Sequence, residues 1–198
     1  MSAYKPRLRA AAKWSAVPVG LVIGAALVWQ ASFSAFSATT TNPTNNWATG
    51  TVVLADDDSN TAMFTATGLT PGSTGSKCIV VTSSGTLAAT VKLYGTGKTA
   101  TNSLDTYVDL TVQQGTGGSF ASCTGFVQDA GAANLFTGTL AAFATAYTNF
   151  GNGFGTFAPA AGTVTKVYKI VYTINAATPN SAQSSNASMG LTWESQNT

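Results

Sequence analysis

The chain has 198 residues, no histidine, 44% hydrophobic residues and only 8% charged ones, a length that holds one domain with a real core. Without imidazole the commonest general base, the Ser-His and Cys-His pairs and the histidine-built zinc sites are all excluded, and the sparse charge excludes the basic face of a nucleic-acid binder. The net charge of +2 is unevenly held: Lys5, Arg7, Arg9 and Lys13 are four of the nine basic residues, which leaves five lysines against seven acids, or −2, for the rest.

The first element in chain order is an export signal. Residues 1–13 are basic, residues 14–29 (WSAVPVGLVIGAALVW) are almost wholly apolar, and small residues follow from Ala31 to Ala38. This is the order of a secretory signal peptide. The apolar run spans 16 residues and contains Pro18 and Gly24, whereas a membrane-spanning helix needs about 20. An uncleaved single-pass anchor is the alternative. Ala35-Phe36-Ser37 before Ala38 and Ser32-Phe33-Ser34 before Ala35 both fit the small-x-small rule for cleavage, and a cut after Ala35 sets the bulky Phe33 three residues upstream.

The body reads as strands. After a polar, turn-like 39–46, short runs rich in Val, Thr, Ile, Tyr and Phe recur. Thr51 to Leu54 is one. Ala62 to Thr67 alternates, with Ala62, Phe64 and Ala66 on one face. Lys77 to Thr82 is apolar enough to be covered on both faces. Ala88 to Tyr94 alternates again. Leu104 to Val112 places Leu104, Val108, Leu110 and Val112 on one face. Its other face, with Asp105, Tyr107, Asp109 and Thr111, reads as the wet side of an outer strand. Tyr168, Ile170, Tyr172 and Ile174 share a face in the run 164–174, and Met189, Leu191 and Trp193 share one in 187–193. A period of two is the signal of half-buried strands, and turn clusters such as DDDSN at 56–60 and QGTGGS at 114–119 separate them. Many short strands so divided predict an all-β, antiparallel sandwich. One stretch differs: Phe136, Leu140, Phe143 and Tyr147 have helical spacing, so one short helix is predicted near 139–147. The Gly/aromatic loop 149–162 reads either as a contact surface or as a loop whose Phe150, Phe154 and Phe157 tuck into the core.

Chemistry-bearing motifs are absent: no HExxH, CxxC, GxSxG, Walker A or well-placed GxGxxG occurs. Asp56, Asp57 and Asp58, with Ser59 and Asn60, are a weak Ca²⁺ candidate whose plainer reading is a solvated turn. Cys78 and Cys123 are the lone cysteine pair, and in an exported chain they predict a disulfide.

Three stretches in order carry a resemblance. The first is the junction, where the signal ends in Trp29 and is followed by Phe36-Ser37 and NNWATGTVVL at 45–54. The second is GLTPGSTGSKCIVVTSSGTLAATVKLYG at 68–95. The third is a tyrosine-rich strand at 164–174 with a closing SMGLTWESQNT. Together they resemble the TasA/camelysin family, secreted bacterial proteins that build extracellular biofilm-matrix fibres. The family often has Asp where Ser73 stands here, and the cysteine pair and the Gly/aromatic loop depart from its better-known members.

The resemblance implies a jelly-roll-like sandwich over 36–198, after a signal peptide over 1–35 cleaved between Ala35 and Phe36 by a dedicated signal peptidase. It implies a secreted or cell-surface structural subunit that forms a homopolymer, with membrane contact only through the signal segment. The expected assembly strand is the new terminus, Phe36, Ser37, Ala38, Thr39, Thr40 and Thr41, ended by Asn42-Pro43. A free strand of this kind can complete a neighbour's sheet. The alternative is a camelysin-type secreted or surface-associated metallopeptidase. The sequence offers it no histidine ligand and no suitably spaced cysteines, so the expectation is a protein that is not an enzyme and takes no cofactor.

Overall fold

Alternating runs of β-branched and aromatic residues form the strands of the computed structural model, which describes residues 49–130 and 134–198. The signal segment, its cleavage site and the expected assembly strand 36–41 lie outside the described residues. In chain order the elements are β1 (Val52–Asp56), β2 (Thr74–Gly85), β3 (Ala89–Ala100), β4 (Val108–Thr116), β5 (Val127–Gln128), β6 (Phe136–Thr139), the helix α1 (Leu140–Ala146), β7 (Phe154–Phe157), β8 (Gly162–Ile174) and β9 (Ala187–Asn197). One sheet runs β1-β2-β8-β4, with β5 and β6 both paired to the far edge of β4; the other runs β7-β3-β9. Every pairing is antiparallel. The fold is therefore an all-β antiparallel sandwich with one short helix. It is jelly-roll-like in that the chain changes sheets between β2 and β3, β3 and β4, β6 and β7, β7 and β8, and β8 and β9.

The longest ladder joins β2 to β8, from Thr74 opposite Thr173 to Gly85 opposite Gly162. Alternation sends Ile79, Val81, Tyr168 and Ile170 inward, where they meet Leu93 of β3 and Val112 of β4. The aromatic spacing 136-140-143-147 does form a helix. Thr139 caps α1 by accepting the Ala142 amide at 3.1 Å. Phe143 then packs among Phe136 of β6, Tyr147 and Phe154 of β7, at ring separations of 5.0, 5.4 and 5.6 Å. The helix and these rings fill the side of the sandwich where β6 and β7 form the sheet edges.

Two predicted strands are corrected. Residues 62–67 form no strand: Ala62 and Ala66 are exposed, and the segment is held instead by Phe64, whose ring sits edge-on to Tyr172 at 5.1 Å. The strand expected from Leu104 begins only at Val108, because Leu104–Thr106 is a 3-10 turn. A bulge in β3 between Thr96 and Thr99, with Gly97 at φ 59°, turns Lys98 toward that turn. Lys98 forms an ion pair at 2.5 Å with Asp105, which is only 5% exposed. Nor is β4 an outer strand, since β8 flanks it on one side and β5 and β6 on the other. Asp109 accepts a hydrogen bond from Asn175 Nδ2 at 3.0 Å. In 149–162 the tucked reading holds for Phe154 and Phe157, which pack against the core from β7. Phe150 instead lies beneath Lys92, 5.0 Å from Nζ to ring centre.

Cys78 and Cys123 are bonded, with Cα atoms 5.3 Å apart. Cys78 and its partner in register, Lys169, lie on the face opposite Ile79 and Tyr168, so the bond holds the connection 117–126 across the outside of the larger sheet. Gly117, at φ 76°, starts this loop where a Cβ would sit 2.1 Å from the Gly125 carbonyl oxygen. The loop meets Asp57, the residue after β1, at Phe120, β2 at Cys123 and β8 at Phe126, then returns to β4 as β5.

Candidate functional site

The side of the sandwich opposite α1 is built from two sheet edges. Among the described residues β1 is bonded only to β2, and β9 only to β3. The direction of their backbone groups follows from neighbouring bonds. Thr198 N–H donates to the Ala88 carbonyl at 3.2 Å, while Ala89 and Gly95 donate away from β9, to Pro159 at 3.0 Å and Tyr147 at 2.9 Å. Antiparallel alternation then points the N–H and C=O groups of Leu191, Trp193 and Ser195 outward from β9. Likewise Thr86 N–H donates to the Thr51 carbonyl at 3.0 Å, so Val52, Leu54 and Asp56 point outward from β1.

Between these edges lies a cleft of about 250 Å³ lined by Leu54, Asp56, Asp58, Val81, Leu191 and Trp193. Trp193 packs its ring 5.2 Å from that of Tyr168. Its Nε1–H is buried without a hydrogen-bond partner, and so is the Ser195 hydroxyl one turn of the pleat away. Buried polar groups are nearly always satisfied, so these two stand out; in register with the inward Leu93 and Val91 of β3, their side chains lie on the inner face of β9. Edge strands are commonly guarded by charge. The single charge in β9 is Glu194, and it is turned over the sheet: its carboxylate accepts from Tyr94 Oη at 2.7 Å and Gln196 Nε2 at 2.8 Å. Those two bonds hold the Glu194 carboxyl below its usual range, and the Tyr94 hydroxyl is correspondingly pushed up.

The three aspartates of the predicted Ca²⁺ turn do different things. Asp57 continues the β1–β2 ladder with its side chain: Oδ1 accepts the Val80 amide at 2.8 Å and Oδ2 the Phe120 amide at 2.8 Å. Asp58 Oδ1 accepts the Asn60 amide at 2.7 Å. Asp56 faces the cleft, where burial first and the neighbouring Asp58 carboxyl second hold its carboxyl above the usual range. Among the described residues no three His, Cys, Asp or Glu side chains converge on a metal-binding point.

All five described lysines are engaged. Lys98 and Lys166 pair with Asp105 and Asp129, at 2.5 and 2.8 Å. Lys77, Lys92 and Lys169 lie over the rings of Phe120, Phe150 and Phe126, at 5.0, 5.0 and 5.8 Å. Such contacts are worth roughly 0.5–1 kcal/mol each at exposed sites. The described lysines thus serve the fold. Sequence patterning found the Met189-Leu191-Trp193 face but not the open edge behind it, nor the orphaned Trp193 and Ser195 groups. No protein-family model matches the chain, and no curated protein matches it.

Proposed function

We propose that the chain is an exported structural subunit of an extracellular fibre or surface layer, polymerising when residues 36–41 of one copy pair with the open sheet edge of the next. The observation that carries this reading is the asymmetry of the sandwich. One side is closed by α1 and its aromatic rings. The other leaves the outward backbone groups of β9, the Trp193 indole N–H and the Ser195 hydroxyl without partners among the described residues. An added strand would supply carbonyls and amides to the outward backbone groups of Leu191, Trp193 and Ser195. The segment Phe36-Ser37-Ala38-Thr39-Thr40-Thr41 is β-permissive and has no charged side chain. The disulfide suits an oxidising exterior, and the resemblance to TasA and the camelysins points to the same class of protein.

The test is negative-stain microscopy of the mature chain starting at Phe36, beside a deletion of 36–41 and a Thr39→Pro variant. The parent should form filaments, and both variants should stay monomeric with a melting temperature close to the parent's. Filaments from the deletion variant would overturn the donor-strand reading.

A further inference from the structure

We propose that the cleft between β1 and β9 seats the processed amino terminus of a second copy, with the Phe36 ring inside it and the new α-ammonium group on the Asp56 and Asp58 carboxylates. The inference rests on the fibre reading and adds to it an address for one residue and a reason for assembly to wait on processing.

The cleft combines two chemistries. Leu54, Val81, Leu191 and Trp193 supply its apolar part, and the larger part of its lining is polar, with Thr192 and the two carboxyl groups of Asp56 and Asp58. Each described lysine is engaged elsewhere, on an aspartate or a phenylalanine ring. Asp56 and Asp58 both line the cleft, and burial first and the neighbouring Asp58 carboxyl second hold the Asp56 carboxyl above its ordinary range, so a cation seated between them would be favoured. An occupant suited to both features is apolar and cationic within a single residue.

Outside the described residues, the stretch 36–46 reads FSATTTNPTNN. It contains no charged side chain and one large apolar residue, Phe36. The only cation this stretch can offer is an α-ammonium, and cleavage after Ala35 creates that group on Phe36. A cavity of about 150 Å³ already holds a benzene ring, so about 250 Å³ leaves room for the ring and the ammonium group. From there Ser37 to Thr41 can run along β9, where Leu191, Trp193 and Ser195 present outward amides and carbonyls. Before cleavage, Phe36 is joined to Ala35 by an amide that carries no charge, and the match is lost.

Four forms of the full mature protein test this by light scattering and negative-stain microscopy: the parent from Phe36, a form extended to begin at Ser34, Phe36→Ala, and Asp56→Asn with Asp58→Asn. The three altered forms should assemble about tenfold more slowly, the scale of losing a charge-assisted pair or a buried ring, with unchanged melting temperatures for the extended form and Phe36→Ala and one no lower than the parent's for the double aspartate variant. A second arm needs no variant. The synthetic peptide Phe-Ser-Ala-Thr-Thr-Thr with a free amine should inhibit assembly of the parent, and its N-acetylated form should inhibit about tenfold less. If the extended form assembles at the parental rate and acetylation leaves inhibition unchanged, while Thr39→Pro still blocks filaments, the cleft is not the seat and the fibre reading stands. If the parent itself stays monomeric, the fibre reading fails and takes this inference with it.

Discussion

Asp57 follows the last residue of β1 and stands at the position where a longer strand would offer Val80 a carbonyl. Its carboxylate makes that bond and a second one to Phe120, both at 2.8 Å, so one side chain lengthens a ladder and fastens a loop. Replacing it with alanine removes the acceptor of both amides. Asp57→Ala should therefore destabilise by about 1–3 kcal/mol in urea unfolding, and Asp57→Asn, which keeps one oxygen, by less. Asp129 shows a different use of charge. Hydrogen bonds from Lys166 and Gln114 hold its carboxyl below the usual value of 3.8. The unfolded chain then takes up this proton at a higher pH than the folded protein does. The pairing stabilises fully above the unfolded value and is lost as pH falls through the folded one. Asp56 runs the other way: its carboxyl is raised, so its ionisation opposes folding at neutral pH and that penalty lifts as pH falls. Unfolding midpoints measured between pH 2 and about 4 should show a shallower acid loss in Lys166→Met than in the parent.

At the scale of elements, β9 has one edge bonded to β3 and one that is open among the described residues, and a proline scan distinguishes them. The amide of Ser195 points away from β3, so Ser195→Pro removes an outward donor and keeps the β3 ladder. Gln196→Pro removes a ladder donor. Ser195→Pro should melt within a few degrees of the parent yet fail to form filaments, whereas Gln196→Pro should lower the melting temperature clearly; calorimetry and microscopy on the same samples decide this. Most of the elements were legible in the sequence. Tyr168, Ile170 and Ile174 announce β8 by their period of two, Phe136 to Tyr147 announce α1 by theirs, and the lone cysteine pair announces its bond. The open edge was not legible. Alternation reports which face of a strand is buried and carries no information about which neighbours it has. The same limit explains Leu104–Thr106, where an apparent strand start is a turn held by Asp105 and a lysine seven residues earlier, and 62–67, where alternation exists without a ladder to join.

For the molecule as a whole, the disulfide spans 45 residues of separation. Closing a loop of that size stabilises by roughly 3–4 kcal/mol in the chain-entropy model. Cys123→Ala should lose about that much in denaturant unfolding, with the sheets still formed at low denaturant. The path of the bonded loop has a mechanical consequence. In the filament proposed above, tension would enter each subunit ahead of Val52 and peel β1, a strand of five residues, from β2. The peeling front moves from Val52 to Asp56 and then meets Asp57, whose carboxylate grips both β2 and the crossing loop. That loop is covalently joined to β2 at Cys78, rests on β8 at Lys169, and rejoins β4 as β5. A pull that begins on the β1 edge of the larger sheet is therefore handed to three further strands at once. Reducing the disulfide would leave that transfer to hydrogen bonds and ring contacts, and a fibre of this protein would creep under load before its subunits unfold.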